Sequence, residues 1–235
     1  MSKEKKQTLL KIGLPDGKPI LHASDFREMM AKAGDGSALL PSSFFNYGED
    51  GRPLSSTDPD IRFVGGKSWV GILSMTADSP LIDQAAGIAV RVASGHFKRP
   101  LPMTIESKAF SLEEVQYPVM YYLRDMAIKR RTEELRNEPT EQLARRRIES
   151  SLARIAGTHG FDLPVASRLN IVFHNIRELG MHLRTSNGKS NEYVTLVNAE
   201  VSMHLNLKGM WQVCNLPSRG HGRLIKQGEW NGGGK

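Results

Sequence analysis

The chain has 235 residues, of which 39% are hydrophobic and 24% are charged, and its formal net charge at pH 7 is +7. This length and composition can bury one large core or two smaller ones, which excludes a disordered protein. The single cysteine, Cys214, excludes an intramolecular disulfide and a two-cysteine metal site, and it is typical of a reducing, cytoplasmic compartment.

The first half of the chain alternates between strand-like and helix-like segments. Strands are predicted from the runs QTLLKIGL, IRFVGG, KSWVGILSM and LPMTIESKAF, with Gly65 and Gly66 forming a hairpin turn. Helices are predicted from SDFREMMAKAG, with Ser24 as its N-cap, and from SPLIDQAAGIAVRVAS, with Ser79 as its N-cap and Pro80 at the first helical position. The resulting order, β-α-β-β-α-β, is the ferredoxin-like arrangement.

The second half begins in the same way and then departs from it. A strand is predicted from YPVMYYLRDMAIKRR, and a long helix from TEQLARRRIESSLARIAG, with Thr140 as its N-cap and Gly157 at its end. Three further strands are predicted from RLNIVFHNI, EYVTLVNAEVSMHLNL and MWQVCNL. We therefore predict an α+β fold of two tandem ferredoxin-like halves, residues 1–115 and 116–228, followed by a flexible tail at 229–235.

The positive charge is concentrated in the second half. Residues 1–115 carry 14 Lys+Arg and 14 Asp+Glu, whereas residues 116–235 carry 18 and 11. Such an asymmetry indicates a surface that binds a polyanion. At this point a basic protein that is simply soluble remains an alternative.

The long predicted helix of the second half carries arginines opposite an apolar stripe. At about 100° per residue, one arc holds Ala144, Ile148, Leu152 and Ile155. The candidate phosphate-binding residues lie away from that arc, and three further cations end the preceding strand; together they are Arg146, Arg147, Arg154, Lys129, Arg130 and Arg131. Arginines in this pattern suit nucleic-acid phosphates, but a solvated helix face also favours them.

A glycine-rich stretch, LPSRGHGRLIK at residues 216–226, follows the last predicted strand. Backbone N–H groups in such a turn can converge on a phosphate, and flanking arginines add charge-assisted hydrogen bonds. It lacks the spacing of a Walker loop, and Ile225 occupies the position of the last glycine in a dinucleotide fingerprint. The candidate anion-binding residues in it are Arg219, Gly220, His221, Gly222 and Arg223.

Several other classes of site lack their motifs. The sequence contains no HExxH motif, no cysteine pair and no carboxylate cluster with recognisable ligand spacing, so we predict no metal and no small-molecule cofactor. No segment has the pattern of a membrane span or an export signal, because the apolar stretch AAGIAVRVA is interrupted by Arg91. We therefore expect no membrane association.

The two halves, the basic helix and the C-terminal GMWQVCNLPSRGHGRLI resemble the CRISPR RNA-processing endoribonucleases of the RAMP superfamily, most closely the repeat-cleaving subunit of type IV systems. The fragments KIG, NYG, IRFVGG, YPVMYYLRDMAIKRR and VNAEVSMHLNLKGMWQ support the resemblance. It implies cleavage of precursor CRISPR RNA within the repeat, retention of the 3′ hairpin of the product, and assembly with other subunits of an effector complex.

Metal-independent RNA cleavage needs a base for the 2′-hydroxyl, an acid for the leaving 5′-oxygen and cations for the phosphorane. The resemblance places the catalytic histidine in or near the first helix or the loop behind it, which selects His22. Tyr47 and Arg52 fall in that loop and complete the candidate catalytic set. An exposed loop histidine is the alternative for His22, and His221 is predicted to contact RNA rather than to act as the base.

Two other functions remain open at the level of the sequence. One is a non-catalytic RNA-binding subunit of the same superfamily, which would keep the loop and the basic helix but lack an organised acid and base. The other is an enzyme that binds a nucleotide phosphate in the glycine-rich loop, although no second nucleotide motif supports it.

Overall fold

The structure is a computed structural model of the chain, and it describes residues 4–17, 20–35, 40–49, 54, 58–130, 132–184, 191–214 and 216–229. The chain divides into two compact units. The N-terminal unit comprises the described residues as far as Phe110 together with Ser218–Gly220. The C-terminal unit comprises Ser111–Pro217 and the described residues from His221 onwards.

The N-terminal unit has the predicted β-α-β-β-α-β order. Its sheet is antiparallel, with strands in the order β2-β3-β1-β4. The elements are β1 (Lys5–Gly13), α1 (Ala23–Asp35), β2 (Ile61–Gly65), β3 (Trp69–Ser74), α2 (Pro80–Phe97) and the first part of β4 (Met103–Lys129). The prediction of a ferredoxin-like arrangement is confirmed for this half.

The core of the N-terminal unit lies between the sheet and the two helices. Phe26 of α1 is fully buried against Phe63 of β2, with ring centroids 5.9 Å apart in an edge-to-face arrangement. Phe44 and Phe45, in a 3-10 turn at Ser42–Phe45, also pack on Phe63, with centroids 6.0 and 6.1 Å away. Aromatic burial of this kind fixes the segment after α1 onto the sheet.

The helix starts of this unit agree with the prediction in one case and differ in the other. Helix α2 begins at Pro80 with Ser79 as its N-cap, as predicted. Helix α1 begins at Ala23, so the prediction of Ser24 as its N-cap was wrong. The carbonyl of His22 accepts the N–H of Phe26 at 2.9 Å, which places His22 at the cap, because the cap carbonyl accepts the first bond of a helix.

The C-terminal unit repeats the topology with altered helices. Its sheet has the order β5-β6-β4-β8, with the two-residue strand β7 paired to β8. If β7 is left out, counting strands from β4 gives the same spatial order as in the first unit. Besides the second part of β4, its elements are α3 (Glu133–Asn137), α4 (Thr140–His159), α5 (Ala166–Leu169), β5 (Val172–Arg184), β6 (Asn191–Lys208), β7 (Trp211–Gln212) and β8 (Arg223–Lys226). The tandem arrangement of ferredoxin-like halves is confirmed.

The predicted ends of the long basic helix were wrong by one to three residues. Pro139 is the N-cap of α4, and Thr140 is the first helical residue, with its hydroxyl bonded to Arg130. The helix passes Gly157 and ends at His159, with Gly160 as its C-cap; the φ of +63° at Gly160 is the left-handed conformation that glycine adopts without strain. Within the described residues, no helix is long and apolar enough to cross a membrane.

Tyr121 of β4 makes side-chain hydrogen bonds to the backbone of β6 in the C-terminal unit. The side chain is buried; its hydroxyl donates to the carbonyl of Leu205 at 2.8 Å and accepts the N–H of Leu207 at 2.9 Å. Burial raises the pKa of Tyr121 to about 12, and the hydrogen bond from Leu207 only partly opposes that rise. The neutral hydroxyl is therefore part of the folded core.

We expect Tyr121→Phe to lower the free energy of unfolding by about 1–3 kcal/mol at pH 8, because the N–H of Leu207 loses its buried acceptor. In the unfolded chain a tyrosine ionises near pH 10, so the stability contributed by the raised pKa is complete below pH 10 and is lost between pH 10 and about 12. Urea titrations at pH 8 and 11 should show a smaller stability difference between wild type and variant at pH 11. The control is Tyr117→Phe, whose side chain is 76% exposed and should change neither value.

Candidate functional site

His22, the histidine predicted to be catalytic, directly precedes α1. His22 is exposed at the N-cap position, and its backbone is fixed by the bond from Phe26. Its side chain is therefore accessible from solvent at a defined point of the N-terminal unit. The role predicted for His22 as a general base stays a prediction.

Arg27, further along α1, is held by a hydrogen bond and by two aromatic rings. Its Nη2 donates to the carbonyl of Phe45 at 2.6 Å. The guanidinium lies over the rings of Phe45 and Tyr47, at 5.8 and 5.6 Å from their centroids, and is hydrogen-bonded to the Tyr47 side chain. Arg27 was not predicted from the sequence. Its neighbours in the sequence give no indication of function, since its contacts with Phe45 and Tyr47 arise only in the folded structure.

Residues Ser218–Gly220 of the glycine-rich loop belong to the N-terminal unit and reach the start of α1. Gly220 has φ +87°, and a Cβ there would lie 2.6 Å from the Cβ of Ala23 and 2.9 Å from the carbonyl oxygen of Phe63. Only glycine allows this approach without displacement of the backbone. The preceding residue, Arg219, is half-buried.

Arg27 and Arg219 act on each other electrostatically. Burial lowers the pKa of the Arg27 guanidinium, Arg219 lowers it further, and Tyr47 partly opposes both effects. Two cations held near each other at the surface of a protein form a site of high positive potential. The structure thus combines the start of α1, Tyr47 and two arginines in the N-terminal unit, while Arg52 lies outside the described residues.

The second glycine of the loop packs within the C-terminal unit. Gly222 has φ +74°, and a Cβ there would lie 2.6 Å from the carbonyl oxygen of Val213 and 2.7 Å from the Cβ of Cys214. Its N–H donates to the carbonyl of Asp125 at 3.1 Å. His221 is buried, with Nδ1 3.2 Å from the same carbonyl, and Arg223 is half-buried at the start of β8.

The arginines of α4 are placed differently from one another. Arg146 is exposed and pairs with Glu138, whereas Arg147 and Arg154 are half-buried. A cavity of about 310 Å³ lies against α4, and its lining combines apolar and cationic side chains: Leu135, Leu143, Arg146, Arg147 and Ser150.

The side chain of Arg130 makes several hydrogen bonds within the C-terminal unit. Its Nη1 donates to three carbonyls around α3, those of Leu135, Arg136 and Glu138, at 3.1, 3.1 and 2.9 Å, and its Nη2 donates to the Thr140 hydroxyl. These bonds satisfy carbonyls that end a short helix, which gives this arginine a structural role. Its predicted contact with RNA stays a prediction, as does that of the half-buried Lys129. Arg131 lies outside the described residues.

The titratable side chains of the described ranges do not gather into a metal site. No group of three or more His, Cys, Asp or Glu residues among them could hold a metal ion.

Comparison with known proteins relates the whole fold to one family. The family model described as Type IV CRISPR-associated endonuclease Csf5 matches residues 5–228. A solved structure of Csf5, described as a CRISPR-Cas type IV Cas6 crRNA endonuclease, is 30% identical with a TM-score of 0.80, covering 94% of this chain and 99% of that chain. A structure of Cas6b has a TM-score of 0.62 at 13% identity, covering 95% of this chain and 100% of its own, and shows the fold alone. A search of curated proteins returned no match.

Gly220→Ala should destabilise the protein more than Gly228→Ala. Both glycines have positive φ, +87° and +95°, but a Cβ at Gly228 meets nothing within 4 Å. Backbone strain alone should lower the melting temperature of the Gly228 variant by about 2–8 °C, and the contact with Ala23 and Phe63 should make the loss clearly larger in the Gly220 variant. Equal shifts in differential scanning calorimetry would show that Gly220 does not pack against α1.

Proposed function

Because the chain belongs to the Csf5 family of type IV CRISPR-associated endonucleases, we propose that it cleaves precursor CRISPR RNA within the repeat, without a metal ion, and stays bound to the 3′ hairpin of the product. The observation that carries this proposal is the cationic pair Arg27 and Arg219 beside Tyr47, next to the start of α1. As an RNA-bound product complex, the protein would then join other subunits of an effector complex.

The reaction consists of an attack by the 2′-oxygen on the adjacent phosphorus. The new bond between the 2′-oxygen and phosphorus forms as the bond to the 5′-oxygen breaks, leaving a 2′,3′-cyclic phosphate and a 5′-hydroxyl. Negative charge develops on the phosphoryl oxygens, and preorganised cations stabilise it most effectively. Arg27 is preorganised by its hydrogen bond to Phe45 and by the two rings beneath it.

The repulsion between Arg27 and Arg219 supports this assignment. In the free protein, burial and then the charge of Arg219 raise the cost of keeping Arg27 charged. A phosphate placed near both would remove that cost, and the doubly charged phosphorane would remove more of it. The pair therefore favours the transition state over the substrate, which is the requirement for catalysis.

His22 and Tyr47 are the proposed proton-transfer residues. His22 is exposed at the cap of α1, directly before the residue on which Gly220 packs, and would accept the proton of the 2′-hydroxyl. Tyr47 shares a hydrogen bond with Arg27 and would donate a proton to the leaving 5′-oxygen. The prediction for Arg52 stays a proposal without a structural argument.

The C-terminal unit is the proposed binding surface for the RNA hairpin. It holds the arginines of α4 and the glycine-rich loop from His221 onwards. The contribution of α4 would come mainly from Arg147, since Arg146 is already paired with Glu138. The proposal of metal independence rests on the two arginines of the N-terminal unit, which supply the positive charge that a metal would otherwise provide.

The proposal predicts that the protein cleaves a labelled repeat RNA in excess EDTA. The 5′ fragment should end in a 2′,3′-cyclic phosphate or a 3′-phosphate, because the attacking nucleophile is the 2′-oxygen. A substrate with a 2′-deoxy substitution at the cleaved position is the matched control and should remain intact while it binds normally. A 3′-hydroxyl end, or activity restored only by a divalent ion, would contradict metal independence. Tight binding without any cleavage would identify a non-catalytic RNA-binding subunit.

Substitutions at Arg27 and His22 should separate catalysis from binding. We expect His22→Ala to lower the single-turnover rate by roughly 10²–10⁴-fold, as when a general base is lost, and Arg27→Met by at least about 10²-fold, as when a charge-stabilising donor is removed. Hairpin affinity should change far less. Arg91→Ala, which removes an exposed arginine of α2, should alter neither quantity. An unchanged rate in the Arg27 variant would assign phosphorane stabilisation to other residues.

A further inference from the structure

A second pair of arginines faces each other across two strands of the C-terminal unit. Strand β8 runs antiparallel to β4, and Arg223 is the direct partner of Arg124 in that ladder. Directly opposed residues project from the same face of a sheet, with Cβ atoms about 4.5–5.5 Å apart. The register alone therefore starts both arginine side chains from neighbouring positions on one face of the sheet.

This register is unfavourable for the free protein. Like charges directly opposite each other destabilise a sheet. Burial and, secondly, the charge of Arg124 lower the pKa of Arg223 to about 10, and Asp125 only partly opposes these two effects. The fold therefore keeps two cations together at a cost in stability.

The backbone around the pair is held in place by a bulge and by two hydrogen bonds. A bulge in β4 follows Leu123, and Asp125 adopts the left-handed conformation with φ +51°. The Asp125 N–H donates to Oδ1 of Asn198 at 3.1 Å, and its carbonyl accepts the N–H of Gly222 at 3.1 Å. Since Gly222 directly precedes Arg223, these bonds fix both strands at the level of the pair.

The geometry points to a phosphate-binding site formed by Arg124 and Arg223, occupied by a backbone phosphate of the bound RNA. Two guanidinium groups on one face supply paired N–H donors that match phosphate oxygens, and the anion cancels their mutual repulsion. Arg223 was predicted from the glycine-rich loop alone, whereas Arg124 has no signal in the sequence. The inference rests on the proposed function for the identity of the anion as RNA, and on the register of the sheet for the site itself.

Two substitutions should change the site in opposite directions. Arg124→Ala removes one cation on the exposed side of the pair. Asp125→Asn removes the negative charge next to the pair. It keeps an oxygen that can accept the hydrogen bond from Nδ2 of Asn198, which is 3.4 Å long in the wild type, and asparagine tolerates the left-handed backbone. Arg91→Ala is the control for a general loss of one positive charge.

The first measurement is the melting temperature without RNA, in inorganic phosphate and in sodium chloride of equal ionic strength. Without phosphate, Arg124→Ala should melt at or above the wild-type temperature, because repulsion is relieved, and Asp125→Asn should melt below it. Phosphate should stabilise the wild type and Asp125→Asn by the linkage effect and should not stabilise Arg124→Ala. Equal stabilisation of all three proteins would overturn the site. This result does not depend on RNA cleavage, so it stands even if the proposed function fails.

The second measurement is affinity for the repeat hairpin as a function of salt. Arg124→Ala should weaken binding about tenfold and reduce the slope of log affinity against log salt by up to about 0.9. Asp125→Asn should tighten binding, and Arg91→Ala should leave it unchanged. If phosphate stabilises the wild type and not Arg124→Ala, while hairpin affinity is the same in both, the site binds a free anion and the assignment to RNA is wrong. If Arg124→Ala lowers the melting temperature as well as the affinity, its role is structural and the inference is overturned.

Discussion

The placement of both candidate sites depends on two glycines that have no Cβ to keep their neighbours away. Gly220 packs against Ala23 and the carbonyl of Phe63, and Gly222 packs against Val213 and Cys214, each with positive φ. A side chain at either position would push the loop away from its support and would also strain the backbone. Arg219 and Arg223 flank these glycines, so their positions follow from close backbone packing rather than from contacts of their own flexible side chains.

The two arginine pairs share one physical feature: in each, burial and a second arginine lower the pKa of a guanidinium group. In the N-terminal unit, burial and Arg219 lower the pKa of Arg27; in the C-terminal unit, burial and Arg124 lower the pKa of Arg223. In both cases the fold accepts electrostatic repulsion and partial desolvation in the absence of any anion. Proteins commonly tolerate such local instability where function requires it. Under the proposed function, a polyanion would bind to charges that are already in position, which would reduce the ordering cost of binding.

Hydrophobic periodicity in the sequence was sufficient to predict the fold. It did not predict the functional residues whose roles depend on contacts between distant parts of the chain. The strands and helices of the first half were found because each buries one apolar face, as Phe26 does in α1. Strand β8 was interpreted as part of a loop, because four residues are too few to show a period. Arg27 and Arg124 were missed since their partners lie far away in sequence. Arg130 carried the same local signal as a phosphate ligand, yet its donors are taken up by carbonyls around α3.

Ser218–Gly220 pack in the N-terminal unit, although the ribosome makes them after most of the C-terminal unit. The ribosome makes β1 through α2 early, at about 5–20 residues per second, but the segment that packs on Ala23 emerges only after the strands of the C-terminal unit. A contact between residues so far apart in the chain also carries a large loop-closure cost and forms late in folding. The nascent protein therefore passes through a stage in which Arg27 lacks Arg219. Under the proposed function, the cationic pair would form only when synthesis of the chain is nearly complete.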